Sequence, residues 1–299
     1  MGVKLFLNYQ EKYAVTIPDQ IVSDTGVTYE VEERVDSGGN AVVHQALNAS
    51  SGDQVAIKFL VKTSSARRKR FLKEIQLLKE THHYHIIQYL DSGRVKGYFK
   101  QRDYTKVNVK VPFLVMPLAE RNLKQLVSND PGLISYEQYI GQFKGLCSAL
   151  GVLHSKAIHR DIKPENVLIV GDTWVLSDFG LCRYNLNNVD CTSDDEKIGP
   201  VYWLSPEAIN RVIGNNDVIS KESDVFQLCS VFWYVVTKRH PTGCLCHKDW
   251  KGSDELFELI VSALSHDPTR RPHDGSDLSG RFDNIFFNQS IGAKPVDEK

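Results

Sequence analysis

The stretch that decides the fold is HRDIKPENVLI, residues 159–169. It places Asp161, Lys163 and Asn166 at steps of two and three positions and then enters an aliphatic run. Neither the two-residue period of a strand nor the 3.6-residue period of a helix explains this spacing. The pattern indicates a loop that presents polar side chains to a ligand.

The bulk composition limits the classes of function. The 299 residues leave room for two lobes, and 36 basic residues nearly balance 37 acidic ones. We therefore expect no nucleic acid and no membrane among the partners. The six cysteines are scattered, and the N-terminus has charges too early for a secretory signal, so we expect a cytoplasmic protein with reduced thiols.

The hydrophobic pattern changes along the chain. Residues 28–35, 40–48, 54–61 and 113–118 alternate or are β-branched, which predicts strands; residues 65–83 predict one helix with Phe71, Ile75 and Leu78 on a single face. Residues 136–156 and 223–238 predict helices, the second apolar nearly all round. We expect an α+β fold with an antiparallel sheet lobe at about 28–117 and a mainly helical lobe at about 118–288. Residues 1–27 would be an extension and 289–299 a polar tail.

Six motifs occur in one order: DSGGNAVVHQA at 36–46, VAIK at 55–58, a helix with Glu74, HRDIKPEN at 159–166, SDFG at 177–180 and SPE at 205–207. Together they resemble the catalytic domain of eukaryotic-type serine/threonine protein kinases, from about residue 28 to 285. This resemblance implies the bilobal protein kinase fold, with ATP and Mg²⁺ as cofactors and Ser/Thr hydroxyls of proteins as acceptors. It also implies autophosphorylation through transient self-association.

The resemblance assigns a role to each residue of the HRDIKPEN and SDFG motifs. Asp161 would be the catalytic base, Lys163 would steady the transferred phosphoryl group, and Asn166 and Asp178 would hold Mg²⁺. Lys58, paired with Glu74, would bind the α- and β-phosphates. The remaining ATP-binding residues would be Gly38, Gly39, Val43, Ala56, Met116, Pro117, Ala119 and Leu168.

Other matches are architectural or regulatory. His159 and Phe179 would belong to an apolar column with Leu78 and Tyr89, Glu207 and Arg271 would form a buried ion pair, and Asp224 would anchor the catalytic loop. Arg160 beside the base, Arg183 five residues after Asp178, and Arg70 one turn before Glu74 would form a pocket for a phosphate of the activation loop. Glu196 would fill that pocket partly, and phosphorylation at Thr192 or Ser193 would raise activity.

Two departures from the family pattern bear on function. The three glycine positions of the phosphate loop read Asp36, Gly38 and Ala41, which predicts weaker ATP binding. Pro200 stands where Ser/Thr kinases usually carry Thr, so dual or tyrosine specificity stays open against the Ser/Thr signal of Lys163.

A pseudokinase scaffold is the alternative from another class of function, although Lys58, Asp161 and Asp178 are all present. A kinase acting on small molecules is a third alternative, against which the intact segment through Glu207 argues.

A cluster of possible metal ligands falls at His240, Cys244, Cys246 and His247. Its Cys-X-Cys spacing lacks the two-residue gap of common zinc sites, which favours a surface loop over a zinc site.

Overall fold

The computed structural model describes residues 2–6, 14–62, 64–100, 105–129, 134–184 and 201–292. The chain divides into two compact units. Unit 1 comprises residues 1–82 and 87–120, and unit 2 comprises residues 83–86 and 121–299. The short segment 83–86 therefore belongs to unit 2 although both of its neighbours in sequence belong to unit 1.

Unit 1 is built on one antiparallel sheet of eight strands. In chain order these are β1 Val3–Leu5, β2 Val15–Ile17, β3 Gln20–Val22, β4 Thr28–Ser37, β5 Ala41–Asn48, β6 Gln54–Leu60, β7 Asp91–Lys100 and β8 Lys106–Pro117. Their order across the sheet is β1-β2-β7-β8-β6-β5-β4-β3. The strands predicted at 28–35, 40–48, 54–61 and 113–118 correspond to β4, β5, β6 and the end of β8; the last three predictions each extend one residue beyond the observed strand.

One face of this sheet carries a continuous apolar core. It includes Val42, Ile57 and Phe113, and residues from the N-terminal strands complete it: Leu5, Val15, Ile17 and Ile21. Strands β1–β3 thus lie within the segment predicted as an extension, yet they pair in the same sheet. A short N-terminal strand carries too little local periodicity to be recognised before its partners are known.

Helix α1, Ser65–Glu80, is the one long helix of unit 1 within the described residues. Its predicted apolar face is buried at Phe71, Ile75 and Leu78. Glu74 is buried on the same helix.

Unit 2 is mainly helical. Its helices are α2 Leu123–Asn129, α3 Tyr136–His154, α4 Pro206–Val212, α5 Lys221–Thr237, α6 Asp254–Ala263 and α7 Gly275–Gly292. Its short strands are β9 Arg121–Asn122, β10 Ala157–Ile158, β11 Val167–Val170, β12 Thr173–Leu176 and β13 Arg183–Tyr184. β12, β11 and β9 form a three-stranded sheet, and β10 pairs with β13. The predicted α+β protein kinase fold, with a sheet-rich and a helical part, is confirmed.

The two long helices of unit 2 follow their sequence signals. Ser135 caps α3 in a capping box with Gln138 and thereby satisfies two backbone N–H groups at the helix start. Helix α5 is buried on nearly all sides, as its apolar sequence predicts. In the described part of the chain, no helix is long and apolar enough to cross a membrane.

Candidate catalytic site

The segment between β10 and β11 brings the three predicted catalytic residues together. The ammonium of Lys163 lies 2.8 Å from the Oδ2 atom of Asp161. The side-chain amide of Asn166 donates to the backbone carbonyl of Asp161 at 2.8 Å and to its Oδ2 atom at 2.9 Å. The Asp161 carboxylate is thus held in one orientation by a cation and an amide.

Burial acts on the proton affinity of this carboxylate. Asp161 is buried, and desolvation raises its pKa above the ordinary value, while Lys163 opposes that rise and the nearby Asp178 carboxylate adds to it. A carboxylate with a raised pKa accepts a proton more readily, which suits the role of a base.

The backbone of this segment is strained and held by a distant carboxylate. Arg160 has φ 71°, a left-handed conformation that is costly for a side chain with a Cβ. Asp224, at the start of α5, accepts the backbone N–H of His159 at 2.6 Å and that of Arg160 at 2.8 Å. The predicted anchoring of the catalytic loop by Asp224 has this geometry.

Two further residues of this network were not predicted. Gln227, one turn after Asp224 on α5, accepts the backbone N–H of Ile162 at 3.0 Å. The Nε2 atom of His154, at the end of α3, lies 3.0 Å from Asp224 Oδ2, and its Nδ1 atom accepts the backbone N–H of Gly275 at 3.0 Å. The signal available for both was a polar residue on an otherwise apolar helix face.

Asp178 follows β12 in a left-handed conformation with φ 60°, and its side chain is exposed. The residue before it, Ser177, is tied to the Asn166 carbonyl by its backbone N–H and its hydroxyl, both at 2.9 Å. This tie links the segments that bear Asn166 and Asp178. Phe179, the next residue, packs on His159 with ring centroids 5.0 Å apart.

The oxygen atoms in this region suit a hard divalent cation. Asn166 uses its amide nitrogen for Asp161, and no group in the described residues donates to its Oδ1 atom. That oxygen and the Asp178 carboxylate are the ligand types that Mg²⁺ prefers. The donor set therefore fits the metal that the sequence predicts.

Unit 1 contains the predicted ion pair between Lys58 and Glu74. Lys58 on β6 lies 2.6 Å from Glu74 on α1, and both side chains are largely withdrawn from solvent, at 13% and 3% exposure. Removing either charge from water without a partner would cost several kcal/mol. The two side chains can be buried because each neutralises the other.

The remaining predicted nucleotide-binding residues are divided between the units. In unit 1, Val43 lies opposite Lys58 on neighbouring strands, and Ala56 lies opposite Met116. Gly38 and Gly39 form the exposed turn between β4 and β5, and Pro117 ends β8, two residues before Ala119. In unit 2, Leu168 lies on β11 opposite Val175.

Glu207 and Arg271 form a bidentate ion pair, as predicted for a structural role. The two N–O distances are 2.8 and 2.9 Å, and Arg271 is almost fully buried. Ser223 adds a hydrogen bond to the same carboxylate at 2.6 Å. Burial by itself raises the pKa of Glu207, but the bonds from Arg271 and Ser223 outweigh it and hold the pKa below the ordinary value.

The predicted phosphate pocket is described only in part. Arg160 is buried, and Arg183 donates to the carbonyl of Ile219 at 2.8 Å. Arg70 lies on α1 of unit 1. Thr192, Ser193, Glu196 and Pro200 lie outside the described residues, so the pocket stays a prediction.

The His240–His247 cluster is a surface loop in unit 2. Cys244 and Cys246 are exposed, His247 lies 2.9 Å from Asp254, and His240 packs against Trp203. Within the described residues, no group of three or more His, Cys, Asp or Glu side chains is placed to hold a metal ion.

The site and the fold define a protein kinase catalytic domain. The sequence model of the protein kinase domain family matches residues 29–277, which is most of the chain. The chain belongs to the protein kinase family.

Two of the similar curated proteins are named as serine/threonine kinases and a third as a receptor kinase. The chain is 29% identical to the probable serine/threonine-protein kinase PknB of Corynebacterium glutamicum, over 81% of this chain and 35% of that protein. A probable serine/threonine-protein kinase of Streptomyces coelicolor is 29% identical over 90% of this chain and 41% of its own length. The lectin-domain containing receptor kinase VI.4 of Arabidopsis thaliana is 29% identical over 77% and 32%. The chain thus spans about a third of the length of these curated relatives.

Proposed function

We propose that this protein transfers the γ-phosphoryl group of ATP, with Mg²⁺, to Ser and Thr hydroxyls of protein substrates. The observation that carries the proposal is the contact of Lys163 with Asp161 at 2.8 Å. A lysine at this place can neutralise charge on the phosphoryl group beside the base, which is the arrangement that the resemblance assigns to serine/threonine kinases.

Asp161 orients the acceptor hydroxyl and takes its proton. As the oxygen–phosphorus bond to the acceptor forms, the bond between the γ-phosphorus and the ADP oxygen breaks, and the hydroxyl proton passes to Asp161 Oδ. Asn166 fixes the carboxylate for this step through its hydrogen bond to Oδ2. Lys163 compensates the charge of the phosphoryl oxygens.

Asn166 and Asp178 would hold Mg²⁺, which when bound neutralises phosphate charge and aligns the triphosphate. Gly38 and Gly39 support a phosphate contact. A Cβ at Gly39 would have no neighbour within 4 Å, a Cβ at Gly38 would meet only the Ala41 carbonyl at 3.9 Å, and neither glycine has a positive φ. Since packing does not require glycine at these positions, close approach of a ligand to the backbone is a reason for it.

The test compares Asp161→Asn with the parent chain and with Asp172→Asn, which changes an exposed carboxylate in the β11–β12 turn. The substrate is a mixed Ser/Thr/Tyr peptide library with labelled ATP. Asp161→Asn should lower transfer by about 10²- to 10⁴-fold and leave nucleotide binding and melting temperature near the parental values.

Each alternative has its own result in this experiment. Nucleotide binding with no transfer by the parent chain would favour a pseudokinase scaffold. Transfer to Tyr peptides at a rate equal to Ser/Thr peptides would favour dual specificity, as Pro200 suggests. Parental activity of Asp161→Asn would remove Asp161 from the role of base.

We also propose that the protein phosphorylates itself at Thr192 or Ser193 during transient self-association. The segment that holds both residues also carries Asp194, Asp195 and Glu196, and Arg160 and Arg183 lie in the same unit. A phosphate carries more charge and one more acceptor oxygen than a carboxylate, so it would fill an arginine pocket better than Glu196 does.

Thr192→Ala combined with Ser193→Ala should lower activity without abolishing it, and adding Glu196→Ala should lower it further. Mass spectrometry of active protein should find phosphate at Thr192 or Ser193. A fully active double variant together with an unchanged Glu196→Ala variant would contradict the pocket.

A further inference from the structure

The β7–β8 hairpin of unit 1 carries a cationic face that contains none of the predicted catalytic or nucleotide-binding residues. Its register is regular from Asp91, opposite Val115, to Lys100, opposite Lys106. Along both strands the odd-numbered residues include the core residues Val95, Val111 and Phe113. The even-numbered residues on the distal part of the hairpin therefore share the opposite face.

That opposite face concentrates positive charge. Lys96 lies directly across from Lys110, and Lys100 directly across from Lys106. All four lysines are exposed. Arg94, two residues before Lys96 on the same face of β7, is exposed as well. We call this set the cationic face: Arg94, Lys96, Lys100, Lys106 and Lys110.

Within the described residues, no acidic side chain neutralises the charges of this face. In the described residues, none of the five cations forms an ion pair with an acidic side chain. Like charges directly opposite each other destabilise a strand pair. Charges on an edge strand can serve to block aggregation. Strand β8 pairs with β6 only at residues 113–117, so edge protection can account for Lys106 and Lys110. It does not account for Lys96 and Lys100 on β7, which flank a stretch paired on both sides at Tyr98 and Phe99.

The cross-strand pairs Lys96/Lys110 and Lys100/Lys106 form two lysine rows across the hairpin. An aromatic and an amide side chain lie between these rows. Tyr98 and Asn108 are opposite each other, and the ammonium of Lys106 lies 4.5 Å from the centre of the Tyr98 ring. A groove runs over this part of the face, and its lining includes Thr16, Lys96, Tyr98 and Asn108. The lysine rows are four residues apart, which is about 14 Å along the strands.

We propose that the cationic face binds single-stranded nucleic acid. Phosphates of an extended strand would lie on the two lysine rows, and a base between them would meet the Tyr98 ring and the Asn108 amide. A basic track interrupted by an aromatic side chain is how single strands are bound without regard to sequence. An anionic membrane surface would contact the lysines but would not fill the groove between them. The net charge of −1 hides this face because it averages over the whole chain.

The test measures fluorescence anisotropy of a labelled 20-nucleotide oligouridylate from 50 to 200 mM salt. With five contacts at about 0.7 counterions each, the affinity of the parent chain should fall by about 100-fold over this range. Lys96→Glu with Lys110→Glu leaves three contacts, so its affinity should be lower throughout and should fall by only about 20-fold. Tyr98→Ala should weaken binding by about 5- to 150-fold at constant salt slope.

The matched control is Lys248→Glu with Lys251→Glu, which makes the same charge change at exposed lysines of unit 2 and should bind like the parent chain. The single variant Lys110→Glu distinguishes a loss of binding from a loss of the fold. It places opposite charges across the strands, so its melting temperature should be unchanged or higher while its affinity falls.

Three results would overturn the proposal. One is no binding of the oligonucleotide by the parent chain at 50 mM salt. Another is a loss of affinity in the control Lys248→Glu with Lys251→Glu that equals the loss in Lys96→Glu with Lys110→Glu. The third is binding only to vesicles of 30% phosphatidylserine in phosphatidylcholine, which would show a membrane-binding face instead. Because the readout is binding, the outcome is independent of kinase activity.

Discussion

The carboxylate of Asp224 accepts the backbone N–H of Arg160 at 2.8 Å, and Arg160 is one of three non-glycine residues with positive φ in the described part of the chain. A left-handed conformation at such a residue costs roughly 1–3 kcal/mol. The fixed acceptor on α5 offsets that cost and holds Asp161, the next residue, in its working position.

Asp224→Asn should therefore both destabilise the protein and slow phosphoryl transfer. The variant replaces one acceptor oxygen by an NH₂ group that would face a backbone N–H or His154. We expect the free energy of unfolding to fall by about 1–3 kcal/mol, measured by urea denaturation. Asp172→Asn, at an exposed carboxylate of the β11–β12 turn, should leave both properties unchanged. Full activity of Asp224→Asn at parental stability would show that the anchor is dispensable.

The pH dependence of transfer should report the Asp161 carboxylate. The base must be ionised, so the rate falls as the pH drops through its pKa, and burial raises that pKa. Lys163 lowers the same pKa, so Lys163→Met should raise it and shift the acidic limb of the rate profile to higher pH. The measurement is kcat against pH for both proteins. An acidic limb that stays in place while kcat falls would mean that Lys163 acts on the phosphoryl group alone.

The Glu207–Arg271 pair should behave as a buried ion pair. Arg271→Met leaves the Glu207 carboxylate buried without its cation and should cost about 3–5 kcal/mol of unfolding free energy. Adding Glu207→Gln removes the uncompensated charge, so the double variant should be more stable than Arg271→Met alone. Urea denaturation of the parent, the two single variants and the double variant measures the coupling. A double variant as unstable as the sum of both single changes would contradict a direct interaction.

The same pair predicts a loss of stability in acid. The folded-state pKa of Glu207 lies below its unfolded value, so its contribution is present above the unfolded pKa and is lost as the pH falls through the folded pKa. The stability difference between the parent and Glu207→Gln should therefore shrink on acidification below about pH 4.5.

His44 should make the stability of unit 1 sensitive to mildly acidic pH. It is buried on β5 against Phe59, its Nδ1–H donates to the Glu32 carbonyl, and its Nε2 atom has no partner in the described residues. Burial lowers its pKa, the hydrogen bond to the Glu32 carbonyl partly opposes that shift, and the charge of Arg34 adds to it. Since the unfolded chain then binds more protons, stability should fall as the pH drops from about 6.5 towards the folded-state pKa.

His44→Leu should flatten this dependence, whatever its own stability at pH 7. The measurement is the urea midpoint at pH 7.5, 6.5 and 5.5. His82→Gln, at an exposed histidine, should keep the parental slope. An unchanged slope in His44→Leu would assign the acid sensitivity to other groups, such as His83 and His85, whose pKa values burial also lowers.

Much of the fold followed from local patterns. The alternation in residues 28–61 predicted β4–β6, and the apolar run at 223–238 predicted a buried α5. Strands β1–β3, β7 and the first part of β8 were not predicted. β1–β3 have three residues each, too few to establish a period, and glycines interrupt β7, whereas Lys106–Val111 alternates and carried a strand signal that the prediction did not use. Their apolar residues become a core face only when paired, as Leu5, Val15 and Val95 show.

The candidate site divides in the same way. The steps between Asp161, Lys163 and Asn166 are short-range properties of the chain, so the sequence alone identified the kinase motif and its candidate residues. Gln227 and His154 could not be assigned in this way, since each meets its partner 65 or more positions away. Likewise, the counts of basic and acidic residues predicted a neutral chain. Only the register of β7 and β8 decided that four lysines face one another, with no acidic partner among the residues that the structure describes. The neutralisation of a charge depends on which groups approach it in space.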